Sequence, residues 1–157
     1  MWIFQLCLRT FDWLAAIFAI AAMILWLCVF AGLSGTGEYL YGVVWHSHEM
    51  LFGFAAAVIA GFLLTAVRNW TGLPTPTGAA LAMLATIWLV ARVMIVKGPA
   101  PLAAILDVAF MPALAIAIAG PILASKNKRN YKVLAIILML AVLHGVFHVA
   151  SLGHAEA

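Results

Sequence analysis

WHSHEMLFGFAAAVIAGFLLTAVRNWTG, residues 45–72, sets His46, His48 and Glu49 directly against an uncharged 18-residue run, Met50 to Val67. Such a run is long enough to cross a bilayer, whereas a soluble core helix rarely goes so far without a charge. A plain membrane anchor gains nothing from two imidazoles and a carboxylate at its mouth. Ionisable groups held there point to a site inside a membrane protein, and imidazole is the side chain metals bind most often.

The rest of the chain agrees. Of its 157 residues 68% are hydrophobic and 8% charged, with a mean hydropathy of +1.18, far from the balance of a soluble domain. The pattern predicts an all-α, polytopic membrane helix bundle, a single transmembrane helical domain over 1–157. Five spans are expected, at about 13–33, 47–67, 78–96, 100–124 and 132–153. Glycines at 32, 35 and 37, then NWTGLPTP (69–76), KGPAP (97–101) and SKNKRN (125–130), mark the connections. Pro112 falls inside the fourth span and is expected to kink it. The Trp13 to Leu33 run exceeds the apolar core of a signal peptide, so it reads as a retained first helix.

Net charge is +3 with a pI near 9.1, mostly from the cluster between the last two spans. It reports orientation and lipid contact, with the lipid bilayer as partner and no nucleic acid. Arg9, Arg68, Lys126, Lys128, Arg129 and Lys132 fall on one side, which makes the N-terminus cytoplasmic and the C-terminus periplasmic. Tyr39, Tyr41 and Trp45 then belong to the outer interface and Trp70 to the inner. Cys7 and Cys28 are too far apart on one helix to bridge. Gly53, Ala57 and Gly61, spaced by four, give the second helix a smooth face for close packing.

With that orientation the intramembrane polar groups share a layer. His46, His48 and Glu49 open the second span from outside, Arg92 nears the outer end of the third, Asp107 enters the fourth, and His144 and His148 lie in the outer half of the fifth. Scattered polar residues would not be expected to collect so, which argues for a shared site or network. His144 and His148 project from one face, as do His46 and Glu49, while His48 is turned about 200° from His46. Histidines offered by two helices at one depth suit bis-imidazole ligation of a haem iron.

Plainer roles exist for each residue. His46 and His48 could be hydrated at the interface, and His144 and His148 could hydrogen-bond between helices. Arg92 and Asp107, on helices joined by a tight turn, most simply form a structural ion pair, against a role in proton relay or propionate binding. Glu49 could orient a ligating histidine, cap its helix or carry a proton. Met50 and Met111 read as packing. No phosphate loop, CxxC, nucleophile elbow or HExxH is present.

The 45–72 segment resembles the signature of the NnrS family, bacterial inner-membrane proteins described as containing haem and copper and associated with nitric oxide stress and denitrification. The likeness runs through Arg92 and Asp107 to NKRNYKVLAIILMLAVLHGVFHVA (127–150). Family members are more than twice as long, so the resemblance covers their N-terminal portion. Arg68 stands where the family has proline, and His144 where it has asparagine. The resemblance implies haem b, and copper beside it, with His46, His48 and His148 as metal ligands. His144 comes next, and Glu49, Arg92 and Asp107 line the cofactor site. It also implies a homo-oligomer or a larger membrane complex completing the site. A different reading is a non-catalytic accessory or assembly subunit of a respiratory complex, docked through the Gly53, Ala57, Gly61 face. A third is a proton-coupled transport module built on Asp107 and the histidines.

Overall fold

The computed structural model describes residues 3–36, 40 and 42–155, with side chains from residue 10 to residue 153 among them. Five helices in it are long and apolar enough to cross a membrane: Thr10–Phe30, Gly42–Thr71, Gly78–Lys97, Ala100–Ala124 and Lys128–Gly153. The helices themselves are α1 (Ile3–Phe30), α2 (Gly42–Thr71), α3 (Gly78–Lys97), α4 (Ala100–Ala124) and α5 (Tyr131–Ala155), the last led in by a 3₁₀ turn at Lys128–Asn130. No strand occurs among the described residues. The expected membrane helix bundle of five spans is the fold.

Local chemistry explains the ends. α1 stops three residues short of the expected Leu33 because Gly32 takes φ of 72° and closes a Schellman motif. There Leu33 N–H donates to Cys28 C=O and Gly32 N–H to Val29 C=O. Gly72, with φ of 70°, ends α2 in the same left-handed conformation, its N–H on Arg68 C=O. α4 opens with Pro101 in its first turn, where a missing N–H costs nothing. Its regular course breaks at Ala109, between Ala100–Val108 and Phe110–Ala124. Pro112 has no N–H for the Val108 carbonyl, so the disruption anticipated at that proline is placed one turn ahead of it.

α2 is the central helix: half of its span is buried, against 11% for the first span and 22% for the fifth. Ala57, Ala60 and Leu64 pack with Phe11, Trp88, Leu114 and Ile118 in the main core. Gly53, Ala57 and Gly61 are all buried here, and α1 makes the most extensive contact with α2. The smooth face is therefore spent inside the chain and is not open to a larger complex, as the accessory-subunit reading required.

The aromatic belt differs in part. Trp45 is buried at 1% exposure among Leu40, Ala22, Ile95 and Ala103, so it belongs to the core and not to the outer interface. Trp70 keeps 44% of its surface exposed at the other end of α2, as an interfacial aromatic does. Tyr39 and Tyr41 lie outside the described residues, as do the side chains of Cys7 and His154. Cys28 is free.

Candidate metal centre

The decisive local feature is the start of α2. Gly42–His48 is α-helical, Glu49–Ala55 is a π-helix, and Ala56–Thr71 is α-helical again. A π stretch widens the turn and re-phases the side chains beyond it, and such stretches recur at functional sites. On an unbroken α-helix Glu49 shares a face with His46. In the structure it sits beside His48 instead, with His48 Nδ1 3.3 Å from Glu49 Oε1. His46 turns the other way, as its offset from His48 required, and stacks on Trp26 of α1 with ring centroids 4.7 Å apart.

Three helices then close on one point. His48 comes from α2, Asp107 from α4, and His144 and His148 from successive turns of α5. Each offers one ligand atom to a group that could hold a metal ion. His48 Nε2 lies 3.1 Å from His144 Nε2, and His144 Nε2 lies 3.0 Å from His148 Nε2. Asp107 Oδ2 stands 2.9, 3.3 and 3.1 Å from the Nε2 atoms of His48, His144 and His148. All four side chains are nearly inaccessible, the residues being at most 2% exposed.

Arg92 of α3 ties the group to its surroundings. Its Nη1 donates to Glu49 Oε2 at 2.7 Å and its Nη2 to Asp107 Oδ1. The Arg92–Asp107 pair expected from the tight α3–α4 turn is thus present, but Asp107 also gives its second oxygen to the histidines. Each carboxylate spends one oxygen on the guanidinium and turns the other inward. Gly53 makes this possible: a Cβ there would come within 2.7 Å of Glu49 Oε2 and 2.9 Å of Arg92 Nη1. Trp88, under Arg92, donates its indole N–H to the Gly53 carbonyl at 3.0 Å.

Two rings wall the cluster. Phe52 stacks on His144 with centroids 3.9 Å apart and planes 3° apart, and Phe147 stacks on His48 at 5.2 Å. Neither stands out in the sequence. A signal exists, since Phe52 comes four residues after His48 and Phe147 lies three beyond His144, spacings that share a helical face. His46 is absent from the four-residue group, while His48, Glu49, Arg92, Asp107, His144 and His148 are all brought together.

Residues 2–157 match the model of the family described as NnrS protein. The chain belongs to the NnrS family. None of the curated proteins and none of the solved structures matches it. Membership together with the spans makes it a bacterial membrane protein linked broadly to nitric oxide.

NnrS membership raises the question of haem and copper, and the donor set answers it differently for each. Four donors about 2.0 Å from a tetrahedrally held ion stand about 3.3 Å from one another. Five of the six separations between these donors, 2.9 to 3.3 Å, come close to that figure. His48 Nδ1 faces a carboxylate, which leaves its Nε2 lone pair for the centre, and His144 Nδ1 is buried without a hydrogen-bond partner among the described residues. A small ion fits. Axial imidazoles on a haem stand about 4 Å apart with the macrocycle between them. His48 and His144 are closer than that, and Phe52 and Phe147 already cover their faces. As packed, these rings leave no slot for a macrocycle.

Proposed function

We propose that this NnrS chain holds one transition-metal ion between His48, Asp107, His144 and His148, and that the ion serves the family's nitric-oxide-linked chemistry. The observation that carries the reading is the near-tetrahedral spacing of three imidazole nitrogens and one carboxylate oxygen, all on buried residues. Copper is the family-implied metal that fits such a cage, because imidazole suits it. When bound, it supplies a Lewis acid and one-electron chemistry.

The chain's own groups do the rest. Glu49 accepts the His48 Nδ1 proton and so fixes that ring with Nε2 inward. Arg92 anchors both carboxylates and keeps Asp107 Oδ2 aimed at the histidines. Phe52 and Phe147 exclude water from the imidazole faces. With the N-terminus cytoplasmic, as the Lys and Arg distribution supports, the cage lies in the outer half of the cytoplasmic membrane. Haem b at this cluster has no such support.

Metal analysis and an absorption spectrum of the purified protein test this. The expected result is about one metal ion per chain, lost in His48→Ala and His148→Ala and retained in His46→Ala. Equal metal content in all three variants overturns the assignment. A Soret band that disappears with His148→Ala replaces the single ion by haem at the same residues.

A further inference from the structure

Three buried charged side chains lie at the cage, Asp107 within it and Glu49 and Arg92 beside it. Glu49 and Asp107 are each 1% exposed and Arg92 6%. Arg92 is shared between both carboxylates, and among the described residues no lysine or second arginine pairs with either. With the imidazoles neutral, the form in which they ligate, two negative charges face one positive. Among the described residues the surplus of one negative charge has no second cation to balance it, and an uncompensated charge in such an interior is strongly unfavourable. A singly charged ion in the cage cancels it. A doubly charged ion leaves one positive charge equally uncompensated.

We infer that the cage selects a singly charged metal ion over a doubly charged one, with Glu49 and Arg92 setting that selectivity through charge. The inference rests on the metal reading of the four-residue cage and adds the ion's valence. Ligand softness does not supply it, since none of the four donors is sulfur and thiolates are the usual means of choosing copper(I). Coordination geometry does not supply it either: zinc(II), like copper(I), has a filled d shell and accepts a tetrahedron. Charge is the remaining discriminator. Alkali ions share the charge but require oxygen donors, which leaves copper(I), with silver(I) as its redox-inert analogue.

The sign of the effect is set by Coulomb's law. Attraction scales with ion charge, so the zinc(II)-to-silver(I) affinity ratio rises as the surroundings become more negative and falls as they become less so. Removing Arg92's charge makes them more negative. Removing Glu49's makes them less.

Binding of silver(I) and of zinc(II) to the full-length protein in nanodiscs, by competition with calibrated chelators, tests this directly. The wild type is expected to favour silver(I) by about tenfold or more, with copper(I) under reducing conditions following silver(I). Glu49→Gln is expected to shift the ratio about tenfold further toward silver(I), Arg92→Gln about tenfold toward zinc(II), and Arg92→Lys to keep the wild-type ratio. Should Arg92→Gln fail to fold, Glu49→Gln and Arg92→Lys decide the matter. A purely structural role for Glu49 weakens both ions alike. A wild type that prefers zinc(II), or a ratio unmoved by Glu49→Gln, overturns the inference while the metal site stands. Failure of the wild type to bind either ion overturns both.

Discussion

Asp107 Oδ2 lies 3.1 Å from His148 Nε2 across the gap between α4 and α5, while Asp107 Oδ1 is held by Arg92 of α3. One carboxylate thus joins the charged network to the imidazole cage. Asp107→Asn keeps the shape and removes the charge, and its amide presents a donor to one of the two sides. Metal affinity is expected to fall by about 100-fold, a loss at the upper end of that for perturbed metal surroundings, measured by chelator competition.

Arg92 has the opposite role, as the cation shared by two buried carboxylates. Arg92→Met removes the guanidinium from both, leaving them only their imidazole contacts in an interior that does not solvate them. A loss of about 3 to 5 kcal/mol is expected, read from unfolding in detergent mixtures or from the thermal midpoint. Arg92→Lys retains the charge but not the fork that reaches Glu49 and Asp107 separately, and should fall between.

Two glycines give a matched test of close packing. At Gly53 an added Cβ meets Glu49 Oε2 and Phe18 Cε1 at 2.7 Å, while at Gly145 nothing lies within 4 Å. Gly53→Ala is expected to destabilise by about 1 to 3 kcal/mol and to lower metal occupancy. Gly145→Ala should be neutral, or stabilising by a few tenths of a kcal/mol through helix propensity.

Trp88→Phe keeps a ring beneath Arg92 and removes the hydrogen bond to the Gly53 carbonyl. The expected cost is about 0.6 to 1.7 kcal/mol, the range for polar contacts between membrane helices. Because that carbonyl lies within the π stretch, the same variant should speed amide exchange around Glu49–Ala55.

Stripping the metal should also be felt by the fold. An ion that binds only the native cage stabilises in proportion to the logarithm of its concentration over Kd, about 2.7 kcal/mol at one hundred times Kd. Chelator treatment is therefore expected to lower the thermal midpoint of the wild type and to leave His148→Ala unchanged.

The spans are legible in the sequence because hydropathy over about 20 residues overrides local detail. The Arg92–Asp107 pair is legible for a different reason: a short α3–α4 turn brings neighbouring helix ends together whatever else the bundle does. Glu49 is not. An ideal helical wheel pairs it with His46, and no residue type announces that it turns instead to its neighbour His48 at the start of the π stretch. Asp107 reads as a partner of Arg92, which it is. Its second oxygen finds its partners only once α2 and α5 are packed against α4. Trp45 looks interfacial by type and position, yet it packs against Ala22 of α1, Ile95 of α3 and Ala103 of α4.

His48 and His144 meet although 96 positions separate them. A ribosome-bound chain that has delivered α1 to α4 into the bilayer owns Glu49, Arg92 and Asp107 with their surplus negative charge, but only one of the three imidazoles. Completion of the cage therefore has to await the insertion of α5. On the metal reading proposed above, an ion would lock α5 to α2 and α4 only in chains whose α5 has threaded in the right direction.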